Sequence, residues 1–213
     1  MTDLTPSGDE NNLPQTERAY RSLERMIVTL KLQPGETMTE GTLIERLHLG
    51  RTPVREAIQR LAWEGLLEIR PRSGIQIAAL DPADFPKVLA ARKGVEMLLA
   101  WGAASYASPG HDRMFREVEA RMQAAAGTGD VEAFLDADKA LDTVLGEAAA
   151  NPFAARLAAP LQTHSRRFWF RLQRPDSLKL SAQHHVALID AIIARDEASA
   201  EHVAEELIAH LGR

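Results

Sequence analysis

Beyond Asp81-Pro82 the chain is cut at roughly even intervals by segments that end helices, and this pattern leaves few folds open. Ser108-Pro109-Gly110, Gly127-Thr128-Gly129, Asn151-Pro152 and Arg174-Pro175-Asp176 each hold residues that cannot continue an α-helix or that favour leaving it. Between them the apolar residues recur at helical spacing, which predicts helices over about 83–107, 111–126, 130–150, 153–173, 178–195 and 197–211. Long helices joined by short breaks must fold back on one another, so residues 81–213 are expected to form an antiparallel bundle of six or seven helices.

The first 80 residues are punctuated differently. Residues 1–16 are polar, with Pro6, Gly8 and Pro14 and no apolar period, and read as a disordered arm. Tyr20, Leu23, Ile27 and Leu30 then mark a helix over about 17–30, ended by Gln33-Pro34-Gly35. Thr39 is placed to cap a short helix whose apolar face is Leu43, Ile44 and Leu47. In RTPVREAIQRLAWEGLL, Thr52 is the expected cap and Pro53 the first helical residue, with Val54, Ala57, Ile58 and Leu61 as the buried stripe of a helix over about 53–64. Two β-prone runs, 66–69 and 75–77, flank the basic turn Arg70-Pro71-Arg72-Ser73-Gly74. Three short helices followed by a hairpin describe a winged helix-turn-helix, so the chain is expected to be mainly α, with domains at 17–80 and 81–213.

The chain has no cysteine, which excludes disulfides, thiol catalysis and iron–sulfur clusters and leaves only His, Asp and Glu for a metal. No apolar run approaches the roughly 18–20 residues of a membrane span, and the polar N-terminus lacks a signal core. The expectation is a soluble cytoplasmic protein with no membrane partner. The net charge of −5 hides a split of −3 over 1–16, +2 over 17–80 and −4 over 81–213. Phosphate binding needs a local basic face, so the acidic total does not exclude nucleic acid.

That face is carried by the third helix. Its buried stripe leaves Arg51, Arg55 and Gln59 on one exposed line at i, i+4 and i+8, with Thr52 beside them. Arg can contact guanine and Gln adenine through paired hydrogen bonds in a major groove. Arg72, next to Gly74 at the hairpin tip, is placed for a phosphate or the minor groove. A solvated helix face would look similar in isolation, but here it follows a tight turn and precedes a basic hairpin.

The segment from Ile27 to Ile77, with LQPGE, RTPVREAI and EGLL before a basic wing, resembles the DNA-binding domain of the GntR superfamily of bacterial transcription regulators. The resemblance implies that Arg51 and Arg55 contact operator DNA and that Gly74 is the wing-tip glycine. Gly41 stands where the family usually has Arg, and Gly50 where it often has Ser, so operator preference is expected to differ.

ARKGVE, LDADKALDTVLGEAAANP and HHVALIDAIIARDEASAEHVAEELIAHL are similar to the FadR-type branch, whose helical FCD domain binds small effectors and dimerises. Asp138 and Asp142, at i and i+4, share one helix face on spacing alone. The resemblance adds His185 and His210 as ligands of a divalent metal (Zn, Ni or Mn), with Asp142 replacing the usual His and favouring the harder Mn or Ni. A solvated Asp pair with pocket histidines fits the same spacing. Arg92, His164 and Arg167 or its neighbour Arg166 are the residues expected to hold an effector, by implication a small carboxylate. The function implied is not enzymatic: a homodimer reading a pseudo-palindromic operator on double-stranded DNA and most often repressing. The rival readings are a metal-dependent hydrolase on the Asp/His cluster and a ligand-binding protein whose DNA module has decayed.

Overall fold

The computed structural model describes residues 13–174 and 177–212. Residues 1–12, most of the expected arm, and the Pro175-Asp176 part of the fourth break lie outside the described residues. The chain divides into two compact units, Met1–Leu80 and Asp81–Arg213.

In the first unit the order is α1 (Gln15–Val28), β1 (Thr37–Met38), α2 (Glu40–Leu47), α3 (Arg51–Trp63), β2 (Leu67–Arg70) and β3 (Gly74–Ile77). Leu23 and Ile27 of α1, Leu43 of α2, and Val54, Ile58 and Leu61 of α3 close one core with Ile75 and Ile77. Burying this stripe turns Arg51, Thr52, Arg55 and Gln59 outward, as the period of 3.6 residues requires. Thr39 caps α2, its hydroxyl accepting from the Thr42 amide at 3.1 Å. The cap of α3 differs from expectation. The helix begins at Arg51 after Gly50, which offers no side-chain bond, so Thr52 lies inside the first turn. Pro53 did not mark the first residue because every amide of that turn lacks an intrahelical partner.

The wing is also larger than a hairpin. Its three antiparallel strands run β1-β3-β2, with Thr37 opposite Gln76 and Arg70 opposite Gly74. A two-residue strand is too short to show alternation, which is why β1 was invisible in the sequence. Gly74 adopts φ +97, and a Cβ there would lie 2.5 Å from the Met38 carbonyl oxygen. Gly74→Ala is therefore expected to cost about 1–3 kcal/mol from strain and displacement of β1, measured as a lower midpoint in urea.

In the second unit a 3₁₀ turn (Pro82–Asp84) leads into α4 (Phe85–Tyr106), α5 (Pro109–Thr128), α6 (Val131–Ala148), α7 (Pro152–Leu172), α8 (Ser177–Ile193) and α9 (Glu197–Leu211). The breaks both stop one helix and cap the next. Asp130, Asn151 and Asp196 accept from the Ala133, Ala154 and Ser199 amides, and Ser108 and His111 form a reciprocal capping box. Helix α4 packs on α7 and α9, α5 on α6, and α8 on α9. At Gly102 of α4 a Cβ would sit 2.9 Å from the Ala149 carbonyl oxygen, so glycine permits α4 to approach the end of α6 closely. Phe168 stacks on Phe85 and Trp169 packs on Phe134, with centroids 5.1 and 5.6 Å apart, which makes both α7 aromatics core residues.

Candidate functional site

Two groups of side chains stand out, one on each unit. On α3, Arg51 and Arg55 keep 75% and 55% of their side chains exposed, enough to reach a second molecule. Both are gathered by Glu40 at the start of α2. Arg55 donates from Nε at 3.2 Å and from Nη2 at 3.0 Å, and Arg51 Nε lies 3.8 Å from the same carboxylate. The Glu40 hydrogen bond and charge raise the Arg55 guanidinium above its ordinary value. Sequence reading missed Glu40, whose partner lies on a different helix. Arg72 is exposed at the wing tip with φ 66, and Gly74 fixes the strand behind it.

The second group is a buried network of charges contributed by α4, α6, α7 and α8. Arg92 donates from Nε to Glu96 at 2.7 Å and from Nη1 to Ser165 Oγ at 3.2 Å, while its Nη2 lies 3.7 Å from Asp142. Glu96 also accepts from Gln162 at 2.9 Å. Arg166 Nη1 donates to Asp138 Oδ2 at 3.2 Å and also to Asp142 Oδ2. His185 approaches Asp138 Oδ1 through Nε2 at 2.8 Å and the Ser181 carbonyl through Nδ1 at 2.7 Å.

The environment splits the two aspartates. Burial opposes the charge on Asp138, but the His185 hydrogen bond and the charges of His185, Arg166 and Arg92 outweigh it and hold Asp138 far below the carboxylate range. Burial pushes Asp142 up to about 7, with Arg166 opposing and the Asp138 charge reinforcing the rise. Burial depresses His185, yet its bond to Asp138 prevails and raises it. For His185 and Asp142, both raised, the stabilising contribution is full below their unfolded values of about 6.5 and 3.9 and is lost as pH rises through the folded values. For Asp138, lowered, it is present above about 3.9 and lost as pH falls through the folded value. The urea midpoint is therefore expected to fall as pH rises from about 4 to about 7, as Asp142 loses its proton, and to go on falling above about 6.5 as His185 does, and Asp142→Asn to flatten the earlier part of that fall.

A cavity of about 20 Å³, room for one water, adjoins the network. Arg92, Asp138, Ser165, Arg166, Ser181 and His185 form its polar wall, with Phe134, Leu135, Trp169 and Leu211 opposite. Of the residues expected to bind an effector, Arg92 is on this wall, while His164 and Arg167 are not among the lining residues. Arg166 lines it instead, because consecutive helical residues project about 100° apart. Arg167 is buried elsewhere, which lowers its guanidinium to about 10. Of the expected metal ligands, Asp138, Asp142 and His185 join the network, whereas the His210 ring stacks on His184 with centroids 4.6 Å apart. Among the described residues no three or more His, Asp or Glu side chains are arranged to hold a metal. Glu96, four residues after Arg92 in ARKGVE, was legible by spacing but had no visible reason to be buried.

Residues 15–77 match the model of bacterial regulatory proteins of the gntR family, and residues 87–210 match the FCD domain. The chain belongs to the GntR family. It is a DNA-binding transcriptional regulator of the FCD branch.

This GntR-family chain is 31% identical to an HTH-type transcriptional regulator in the TAR-I ttuE-ttuC' intergenic region of Agrobacterium vitis, over 70% of the chain and 89% of that protein. It is 35% identical to the repressor RspR of Escherichia coli, where the match spans 43% of the chain and only 40% of RspR. The solved structure of E. coli McbR/YncC superposes with a TM-score of 0.78 at 19% identity, covering 92% of this chain and 94% of that one, and so shares the fold. No helix among the described residues is long and apolar enough to cross a membrane.

Proposed function

We propose that the protein acts in the cytoplasm as a homodimeric repressor that reads a pseudo-palindromic operator, and that a small carboxylate bound in the helical domain tunes its affinity. The observation that carries this reading is the exposed line of Arg51, Arg55 and Gln59 on α3, its two arginines gathered by Glu40, together with the exposed Arg72 of the wing. Two copies related by a two-fold axis would place two such helices in successive major grooves. Apolar residues left exposed on the helical domain supply surface for a second copy, among them Leu98 and Tyr106 on α4 and Phe153 and Leu157 on α7.

The effector reading rests on the cavity, where Arg92, Ser165 and Arg166 present hydrogen-bond donors beside an apolar wall. Its 20 Å³ is room for about one water, so a carboxylate effector would enter as the helices part. A ligand that binds the parted state better shifts the bundle toward it, and this supplies a coupling between sites. Hydrolysis at the same place has less support, since Arg166 already engages both carboxylates that would hold a catalytic cation.

Selection from random duplex DNA followed by anisotropy titration tests the proposal. Enrichment of a two-fold symmetric sequence is expected, with affinity falling steeply with salt at about −0.9 in log–log slope per neutralised phosphate. A panel of small carboxylates should then contain members that weaken binding, and Arg92→Gln should blunt their effect. No enriched symmetric site would overturn the operator reading, and an unresponsive panel the effector reading.

A further inference from the structure

We infer that Arg166 is a built-in cation: its guanidinium takes the position between Asp138 and Asp142 that a divalent metal would need, so the chain holds this pair with its own side chain and binds no metal there. Asp138 and Asp142 project from one face of α6 with only 9% and 10% of their side chains exposed, so two carboxylates must be neutralised away from water. One nitrogen does most of this. Arg166 Nη1 donates to both carboxylates, and its Nη2 is fixed by Thr163 Oγ1 at 3.2 Å. A cation bridging the two aspartates would have to displace a guanidinium held at three points.

The histidine geometry points the same way and is independent of the arginine. A histidine ligates through a bare ring nitrogen, while the other nitrogen keeps its proton for an outer partner. Here both nitrogens of His185 face oxygen acceptors, the Asp138 carboxylate and the Ser181 carbonyl, so both are placed to donate. Arg92 and Arg166 supply the cations beside Asp138, Asp142 and Glu96. A divalent cation added at this place would sit against two guanidinium groups in the bundle interior, where like charges repel most strongly. The remaining expected ligand, His210, is engaged with His184.

The test uses the untagged full-length chain, stripped with chelator, reloaded separately with Zn, Ni and Mn, dialysed, and measured by elemental mass spectrometry. Metal that Asp138→Asn retains equally is surface-bound and is subtracted. The expected result is no remaining metal in the wild type. In Arg166→Gln the carboxylate pair loses its cation, so thermal stability should drop without metal and recover on adding Mn or Zn, with at least a tenfold gain in metal affinity over wild type. Arg166→Lys, which keeps a charge at the site, should stay unresponsive to metal and tells loss of charge apart from general damage. Close to one metal per wild-type chain, lost in Asp138→Asn, would overturn the inference. An Arg166→Lys chain that takes up metal as the wild type does not would overturn the role given to the charge.

Discussion

Replacing Arg51 and Arg55 together by Ala is expected to remove operator recognition while leaving the fold intact. Both side chains project from α3 opposite its buried stripe, so their loss opens no cavity in the core. A paired arginine contact to guanine is worth about 1–3 kcal/mol of discrimination. Two of them amount to roughly thirty-fold to twenty-thousand-fold in operator affinity. The affinity for random duplex should fall less, because it depends on the total phosphate contact and not on base edges. Anisotropy with the selected operator and with scrambled DNA separates the two effects, and an equal loss on both would show that these arginines only bind phosphate. Unchanged circular dichroism and urea midpoint would confirm that the fold was untouched.

The second large effect lies in the bundle. Arg92→Leu strips the cation from Glu96, which is 4% exposed, and weakens the compensation of Asp142. Breaking a buried pair by removing one partner costs about 3–5 kcal/mol, because the remaining charge is stranded. The double change Arg92→Leu/Glu96→Leu removes the stranded charge as well and should recover most of the loss in urea denaturation. Recovery should stop short of complete, since Ser165 and Gln162 each lose a hydrogen-bond partner in the double variant. If both variants are equally destabilised, the cost lies in packing around the side-chain stems and not in charge.

These two expectations differ in how they could be reached. The line on α3 follows from counting residues: once Val54, Ile58 and Leu61 are buried, Arg51, Arg55 and Gln59 have to face out. The starts of α5, α6, α7 and α9 were legible for a similar reason, as the segments that end one helix also hold the residue, Ser108, Asp130, Asn151 or Asp196, that caps the next. Thr52 and β1 escaped because a first-turn proline fits more than one register and two residues carry no period.

The charged network sits at the other extreme. The spacings of Asp138 with Asp142 and of Arg92 with Glu96 were visible as shared helix faces, but spacing does not say which faces meet. Whether Arg166 or Arg167 turns toward the aspartates depends on the rotation of α7 about its own axis, and that rotation is fixed by Phe168 on Phe85 and Trp169 on Phe134. The helices, most of their ends and the outward-facing arginines follow from the order of residues alone, because those are matters of local backbone chemistry and period. That a guanidinium from α7 reaches two carboxylates on α6, and that a histidine from α8 donates to one of them, follows from the packing of the helices. Those meetings depend on how four helices pack around one buried charge balance, which no single stretch of chain encodes.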